Sequence, residues 1–226
     1  MLDDRAVRIL NILKDSFVPL LKAGLTFTVP LAIISFTLGL VLALFTALAR
    51  ISGIRYLEAI AKFYVWIIRG TPLIVQLFIL FYGLPAAGIV IDPLPAAIIG
   101  FTLNVGAYAS ETIRAAILSI PKGQWEAAYS LGMSHTQVLF RIVLPQATRV
   151  SVPPLANSFI SLVKDTSLAA SITVAEMFQV GQRITAATYE PLWLYIEVAF
   201  IYLMFCTVLS RLQNYMEKKL GRYVIK

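Results

Sequence analysis

The sequence predicts an all-α, polytopic membrane protein, and three observations support this prediction. Hydrophobic residues make up 59% of the 226 residues and charged residues 14%, whereas a soluble domain is about half apolar and about a quarter charged. The apolar residues form separate stretches, each long enough for the roughly 20 residues with which a helix crosses a bilayer. Basic residues collect in alternate loops between these stretches, which is typical of cytoplasmic loops.

Net charge and cysteine content argue against a nucleic-acid partner and an internal disulfide. A net charge of +7 could indicate a nucleic-acid partner. In a chain this apolar the basic residues instead indicate cytoplasmic loops, so we expect a partnership with membrane lipid and none with nucleic acid. Cys206 is the only cysteine, which excludes an internal disulfide, and its apolar neighbours predict buried packing.

The N-terminal segment, residues 1–16, is predicted to be amphipathic. We do not expect its start, Met1-Leu2-Asp3-Asp4-Arg5, to be a cleavable signal peptide, which has a basic beginning, a short apolar stretch and a small-residue cleavage site. Residues 5–15 predict a short helix that lies on the membrane surface. Its apolar side contains Val7, Ile9, Leu10 and Leu13.

About five membrane spans follow, within one transmembrane domain that covers residues 1–226. The predicted spans are residues 17–48, 57–83, 95–118, 153–178 and 192–212. Lys22 and Gly24 interrupt the first span early, and the second is broken near Arg69-Gly70-Thr71-Pro72.

The distribution of basic residues predicts the orientation of these spans. One set of loops and the C-terminal tail contain Arg50, Arg55, Lys62, Lys122, Arg141, Arg149, Arg211, Lys218, Lys219, Arg222 and Lys226. The opposite side contains the acidic residues Asp92, Glu176 and Glu190, together with the basic exceptions Arg5, Arg8 and Lys14. Placing the basic set in the cytoplasm requires an odd number of spans, with the N-terminus outside and the C-terminus inside.

A polar segment at residues 119–152 predicts two short helices joined by a glycine turn. Pro121 suits the first turn of a helix, because its missing N–H costs nothing there. Residues 124–130 continue this helix, and Gly132 permits the left-handed backbone that ends it.

The second helix of this segment has its own start and end. Ser134 and Gln137 have the spacing of a capping box, and we expect Pro145 to stop the helix. Its apolar face contains Leu139, Ile142 and Val143. These signals alone are equally compatible with an amphipathic linker. A DNA-binding helix–turn–helix is disfavoured, because the segment is tethered between spans and has only two arginines.

The order Glu126-Ala127-Ala128, then Gly132, Ile142, Leu144 and Pro145 resembles the coupling loop of bacterial ABC-importer permeases. The resemblance implies that the short helix docks in a cleft of a separate ATPase subunit. It makes Glu126 a polar anchor and Gly132 the site of a sharp turn and close approach. Ala127, Ala128 and Pro145 complete the residues to which it assigns coupling.

The resemblance covers nearly the whole chain and is to the polar amino-acid branch of these permeases, whose members import histidine, glutamine, arginine or cystine. It rests on Arg69–Leu73, Gln76-Leu77, Asn104, Ala107-Tyr108, Glu111–Arg114, Pro121–Gln124, Asn157-Ser158 and Lys164–Leu168. Residues 69–83, 121–128 and 159–169 look closest to cystine permeases.

Partners and location follow from this resemblance. It implies a subunit of the bacterial cytoplasmic membrane, paired with a second copy or a sister permease. It further implies ABC ATPase subunits that use ATP and Mg²⁺, and an extracytoplasmic amino-acid-binding protein. The chain contains no Gly-x-x-x-x-Gly-Lys-Ser/Thr phosphate loop. ATP hydrolysis is therefore expected in the partner, and we expect this chain to be no enzyme and to hold no cofactor.

Ionisable groups inside spans are costly and face a cavity or a partner, so they supply the first substrate-path candidates. Arg69 and Thr71 lie at the predicted break, where Pro72 frees a backbone carbonyl for a polar substrate. The alternative is a structural kink from which Arg69 reaches the membrane interface with its long stem.

A second group of candidates, Asn104, Tyr108 and Glu111, forms a polar stripe on one helix. Glu111 would receive the ammonium group of a substrate. The alternative is that Glu111 is neutralised by Arg114, three residues later on the same face.

The third group is Lys164, Asp165 and Thr166. Lys164 would bind a carboxylate and Asp165 an amine. The alternative is a helix break at which Asp165 caps the segment that begins at Thr166.

Three functions account for these features to different degrees. An amino-acid ABC permease explains the spans and residues 119–152, whereas a secondary carrier or channel leaves residues 119–152 unexplained. An intramembrane enzyme lacks a nucleophile–base pair. His135 is the only histidine and has no metal-binding neighbours in sequence, so we expect no catalytic residue and no metal site.

Overall fold

We describe the fold from a computed structural model, which covers residues 4–221. Residues 1–3 and 222–226 lie outside the described range, so the basic residues Arg222 and Lys226 of the predicted cytoplasmic tail are not placed. The described residues form helices and short connections without a β-strand, which confirms the all-α class.

Ten α-helices follow one another between residues 4 and 221. They are α1 (Asp4–Ala23), α2 (Val29–Ile51), α3 (Arg55–Gly70), α4 (Leu73–Phe78), α5 (Pro93–Leu118), α6 (Lys122–Ser130), α7 (His135–Val138), α8 (Leu144–Asp165), α9 (Met177–Thr188) and α10 (Pro191–Gly221). Three π-helical segments join or extend them, at Gly24–Thr28, Ile79–Gly83 and Leu139–Val143, and 3₁₀ turns occur at Leu84–Ala87 and Thr166–Ile172.

The chain is one helix from Asp4 to Ile51, so the predicted short helix at residues 5–15 is not a separate element, and its location on the membrane surface stays a prediction. No glycine or asparagine follows residue 15 to end a helix there. Ser16 and Leu20 are buried across the supposed junction, and Pro19 is accommodated within the helix. The interruption expected at Lys22 and Gly24 is a π-helical segment, which keeps the chain helical.

The break expected in the second span is confirmed. Helix α3 ends at Gly70, and Thr71 is extended, with φ −121° and ψ 144°. A residue that precedes proline is biased towards this conformation, so Pro72 accounts for the break.

The fourth predicted span, residues 153–178, is wrong as a single helix. Helix α8 begins earlier and ends at Asp165, and a 3₁₀ segment runs to Ile172. Thr173 then adopts a left-handed backbone with φ 67°. Helix α9 starts at Met177, which no prediction anticipated.

Helix α10 is longer than the predicted span at residues 192–212, since it runs from Pro191 to Gly221. Tyr189, with φ 58°, separates it from α9. Pro191 suits the first turn, where no N–H is required. At the other end Asn214 does not end the helix, which continues to Gly221.

Among the described residues, two helices are long and apolar enough to cross a membrane. They are Asp4–Ile51 and Pro191–Lys219, and the pair Arg55–Gly70 and Leu73–Ala87 becomes a third if it forms one broken span. The number of five spans and the orientation stay predictions.

The chain divides into two compact units. Among the described residues, the first contains 4–36, 73–101 and 160–210, and the second contains 37–72, 102–159 and 211–221. One hydrophobic cluster of the first unit is formed by Leu20, Ala23, Met177, Val198 and Ile201, which bring α1, α9 and α10 together.

The N-terminal end of α1 lies beside the α9–α10 turn within the first unit. Arg8 donates a hydrogen bond to the carbonyl oxygen of Thr188 at 3.0 Å. Arg5 and Glu190 form an ion pair at 3.7 Å. The predicted orientation assigns both arginines to the same side as Glu190, and these contacts agree with that assignment.

Candidate functional site

The predicted glycine turn of residues 119–152 is present and has defined hydrogen bonds. Helix α6 is preceded by Pro121, which caps it rather than opening its first turn. Gly132 has φ 77°. Its N–H donates to the carbonyl of Tyr129 at 2.9 Å, and the N–H of Met133 donates to the carbonyl of Ala128 at 3.3 Å. This pair of bonds is the Schellman motif, which requires the left-handed residue that glycine supplies.

The capping box at the next helix is also confirmed. The hydroxyl of Ser134 accepts from the backbone N–H of Gln137, and the Gln137 side chain accepts from the backbone N–H of Ser134 at 2.9 Å. Two donors that the start of a helix leaves unpaired are thereby satisfied. These hydrogen bonds define the connection between two short helices.

Pro145 does not stop the second helix, and that prediction is wrong. Helix α7 passes through the π-helical segment Leu139–Val143 directly into α8. Proline removes one N–H and crowds the preceding turn. A π segment is one of the ways in which a helix accommodates such a disturbance. Pro145 thus lies, exposed, near the start of a long helix.

The residues assigned to coupling differ in exposure. Glu126, Ala127 and Gly132 are exposed, whereas Ala128 is buried. Next to them Leu131 is 83% exposed at the tip of the turn. A single exposed apolar side chain is ordinary on a protein surface, so the case for Leu131 as a contact depends on its place beside the residues that the resemblance assigns to coupling.

An aromatic stack that the sequence analysis missed reinforces the turn. The ring of His135 stacks against Trp125, with centroids 6.0 Å apart, and against Tyr129 at 6.4 Å. The hydroxyl of Tyr129 and Nδ1 of His135 lie 2.8 Å apart. Trp125 and Tyr129 are one turn apart on α6, so their spacing was the available signal. His135 therefore joins α6 to α7.

A small hydrophobic core lies beneath these helices in the second unit. Its buried members are Ala116, Ile117, Ile120, Ala128, Val138, Val143 and Ala147. Half-buried Ile51, Ile113 and Trp125 pack against it. This cluster, called here the coupling core, connects α6 and α7 with the ends of α2, α5 and the start of α8.

Glu111 lies between two arginines. Arg114 contacts it at 3.1 Å from one turn along α5, and Arg50 at the end of α2 contacts its other oxygen. The predicted alternative, neutralisation by Arg114, is therefore observed together with a second partner. A carboxylate with two guanidinium partners has little capacity left for the ammonium group of a substrate.

Arg69 and Tyr108, predicted as separate candidates, meet in the second unit. The guanidinium carbon of Arg69 lies 5.1 Å from the centre of the Tyr108 ring, a cation–π distance. The hydroxyl of Thr71 donates to the carbonyl of Ile67 at 2.9 Å. Asn104 is half-buried on α5.

Lys164, Asp165 and Thr166 lie in the first unit and have different surroundings. Lys164 lines a cavity of about 650 Å³ with Ser167, Phe178, Tyr195, Tyr202 and Cys206. The alternative of a helix break is observed, since α8 ends at Asp165 and a 3₁₀ segment begins at Thr166, but the Asp165 side chain makes no capping hydrogen bond in the described structure. Thr166 is fully buried and donates to the carbonyl of Val163 at 2.7 Å.

Glu176 was expected in an outer loop, and the structure buries it completely. It caps α9 by accepting from the backbone N–H of Gln179 at 2.8 Å. The hydroxyls of Tyr202 and Thr28 donate to its other oxygen at 3.0 and 3.4 Å. Glutamate is a rare helix cap, which is why the sequence pattern did not reveal it.

Glu197 is a second buried acid that the scan of charged residues left out. It lies on α10 and accepts a hydrogen bond from the hydroxyl of Ser16 at 2.5 Å. Its position inside an apolar stretch was the signal that could have found it. Both acids join helices of the first unit. Cys206, expected to be buried, is half-buried.

Comparisons with known proteins agree with this architecture. The L-cystine transport system permease protein TcyB of Bacillus subtilis (strain 168) is 56% identical over 217 residues, which cover 96% of this chain and 93% of the relative. The glutamine transport system permease protein GlnP of Escherichia coli (strain K12) is 37% identical, covering 90% and 94%.

Solved structures share the fold. An amino acid ABC transporter with histidines has a TM-score of 0.86 and 34% identity, covering 91% of this chain and 96% of the other. The inward-facing MetNI methionine transporter has a TM-score of 0.72 at 20% identity, covering 90% and 95%, and shows the fold alone. The family described as binding-protein-dependent transport system inner membrane component matches residues 35–222. This chain belongs to that family of inner membrane components of binding-protein-dependent transport systems.

Proposed function

We propose that this chain is the membrane subunit of an ATP-driven importer that moves a polar amino acid, and L-cystine in particular, across the bacterial cytoplasmic membrane by alternating access. Permeases of ABC amino-acid transporters are its relatives. The support for cystine is the 56% identity to a cystine permease over nearly the full length of both chains.

The proposed assembly has three kinds of partner. Separate ABC ATPase subunits bind ATP and Mg²⁺ and hydrolyse the nucleotide. An extracytoplasmic amino-acid-binding protein delivers the solute. A second copy of this chain, or a sister permease, completes the membrane part. Family membership supports the first two partners.

The observation that carries the proposal is the capped turn of residues 119–152. Schellman bonds, a capping box and the His135 stack hold an exposed apolar tip at Leu131 above the buried Ala128. A tip held rigidly on a hydrophobic core transmits force, because packed cores resist compression. In the proposed cycle, closure of the ATPase moves this tip, and the attached helices alternate between outward and inward access.

The proposed topology has five spans, with the N-terminus outside and residues 119–152 in the cytoplasm. Positive charge at the cytoplasmic end supports it. Along the proposed path, Lys164 at its cavity and Arg69 on Tyr108 supply cations for the substrate carboxylate. Asn104 and Thr71 remain polar lining candidates, Asp165 is the candidate partner of the amine, and the buried Thr166 orders the bend beside it.

The proposal is tested by reconstituting the permease with its ATPase and binding protein in vesicles. We expect ATP hydrolysis to rise when binding protein loaded with L-cystine is added, and uptake of labelled cystine to exceed that of glutamine. Uptake that proceeds fully without the ATPase subunit would instead establish a secondary carrier or channel.

Residues 122–138, which comprise α6, α7 and the glycine turn between them, are called here the coupling turn. A pair of charge reversals tests this coupling turn in the same vesicles. Glu126→Lys places a cation at the proposed ATPase contact and should abolish stimulated hydrolysis and uptake. Glu217→Lys makes the same change on α10, where Glu217 accepts a hydrogen bond from Gln213 one turn away, and should leave both activities near wild type. Normal activity in Glu126→Lys would show that Glu126 does not take part in the contact with the ATPase.

A further inference from the structure

Arg50 makes a contact that no sequence signal indicated, since it was counted only among the loop cations. It is in the last turn of α2, and its guanidinium contacts Glu111 of α5. The side chains of Arg50 and Glu111 are 15% and 21% exposed. Fully exposed ion pairs contribute little because water and salt screen them. This pair is shielded, so its attraction persists at physiological salt.

The same end of α2 has a second attachment. Ile51, the next residue, packs against the coupling core. That core contains Ala116 and Ile117 of α5 beside Ala128 and Val138 of the coupling turn. The end of α2 is therefore bound to α5 by an ion pair and to the turn by apolar contact, although neither α6 nor α7 is adjacent to it in sequence.

These two attachments have different mechanical properties. Apolar contacts are non-directional, so burial of Ile51 in the coupling core does not by itself specify one register of α2 against α5. The ion pair joins two particular side chains, so the Arg50–Glu111 contact favours one register of α2 against α5. Without it, movement of the coupling turn displaces α5, to which it is joined covalently, while α2 slips.

We propose that Arg50 is a positioning residue for coupling, which locks the end of α2 to α5 through Glu111 so that both helices follow the coupling turn as one body. This inference rests on the proposed function of the chain as an ATP-driven permease. In the proposed role, Arg50 touches neither substrate nor nucleotide and acts through Glu111.

The chain offers a matched control for the lock. Arg114 also contacts Glu111, at 3.1 Å, but from three residues along the same helix. It neutralises the same carboxylate without joining two helices. Arg50→Gln and Arg114→Gln each remove one guanidinium from Glu111, and only the first separates α2 from α5.

The experiment measures solute transported per ATP hydrolysed in vesicles that contain permease, ATPase and binding protein. For Arg50→Gln we expect this ratio to fall about fivefold or more, the size of a typical coupling between sites. Arg114→Gln should change it about twofold or less. Arg50→Lys, which keeps the charge, should restore most of the ratio. Amounts of assembled complex should be equal in all variants.

A double-mutant cycle assigns the effect to the pair. Glu111→Gln combined with Arg50→Gln should be no worse than Arg50→Gln alone, because both changes break one contact. Additive losses, or an unchanged ratio in Arg50→Gln, overturn the inference. If wild-type vesicles show no stimulated hydrolysis, the proposed function itself is wrong. If hydrolysis is stimulated and Arg50→Gln remains fully coupled, the inference about Arg50 is wrong and the proposed function stands. If Arg50→Gln prevents assembly, Arg50→Lys decides, because it keeps the ion pair: a ratio near wild type supports the lock, and an uncoupled ratio overturns it.

Discussion

Gly132 and Gly53 have almost the same backbone, with φ 77° and 71°. No described atom outside their immediate neighbourhood lies within 4 Å of the Cβ that a substitution would add at either position. A side chain therefore meets no steric obstacle, and its cost is the left-handed conformation alone. The two glycines differ in location, because Gly132 closes the coupling turn and Gly53 lies between α2 and α3.

Alanine at either glycine should lower the free energy of unfolding by about 1–2 kcal/mol. We expect Gly132→Ala to weaken binding of the ATPase as well, because the Schellman turn that presents Leu131 depends on this residue. Gly53→Ala should leave that binding unchanged. Thermal unfolding in detergent and co-purification of the ATPase measure the two effects. Equal loss of ATPase binding in both variants would show that general stability, and not the turn, controls the contact.

At the scale of elements, the helix ends distinguish what local signals specify from what packing specifies. The capping box at Ser134 and the glycine turn were predicted correctly, because both are encoded within a few residues. Pro145 was expected to end a helix and instead lies within one. The start of α9 was missed, because Glu176 caps it with support from Thr28 and Tyr202, which are distant in sequence.

Glu176→Ala should destabilise the protein by about 2–3 kcal/mol, since it removes a helix cap and leaves buried donors unpaired. Glu176→Gln keeps an acceptor for the cap and should lose less. Glu58→Ala is the control, because Glu58 pairs with Lys62 on the surface of α3, and its unfolding temperature should stay close to wild type. Similar unfolding temperatures for Glu176→Ala and Glu58→Ala would refute the structural role of the buried acid.

At the scale of the whole molecule, length and hydropathy identify two candidate spans, or three with the broken pair. The predicted number of five includes α5 and α8. Neither passes the same test, because they carry polar residues such as Glu111 and Lys164. A helix with polar residues crosses a membrane when these face protein or a cavity. The prediction of five spans therefore requires the polar residues of α5 and α8 to face protein or a cavity.

Cysteine labelling in intact cells tests the topology. In a Cys206→Ser background, Val90→Cys should react with a membrane-impermeant maleimide added outside. Thr136→Cys should react only after the cells are permeabilised. Val90 is 81% exposed and Thr136 is exposed, so burial does not limit either reaction. External labelling of Thr136→Cys would reverse the orientation and remove the coupling turn from the cytoplasm.

Local and compositional information was sufficient for the helical class, the break before Pro72, the glycine turn and the family, because each depends on residue type and short spacing. It was also sufficient to select the charged residues of the spans as candidates for specific contacts. It could not identify their partners. Whether Glu111 faces a substrate or two arginines depends on Arg50, 61 positions away in the chain. The partners of Glu176 are likewise distant in sequence, since its carboxylate accepts hydrogen bonds from Tyr202 and Thr28. Buried polar groups must be paired, but the pairing is chosen by tertiary packing, which brings distant residues within hydrogen-bonding distance.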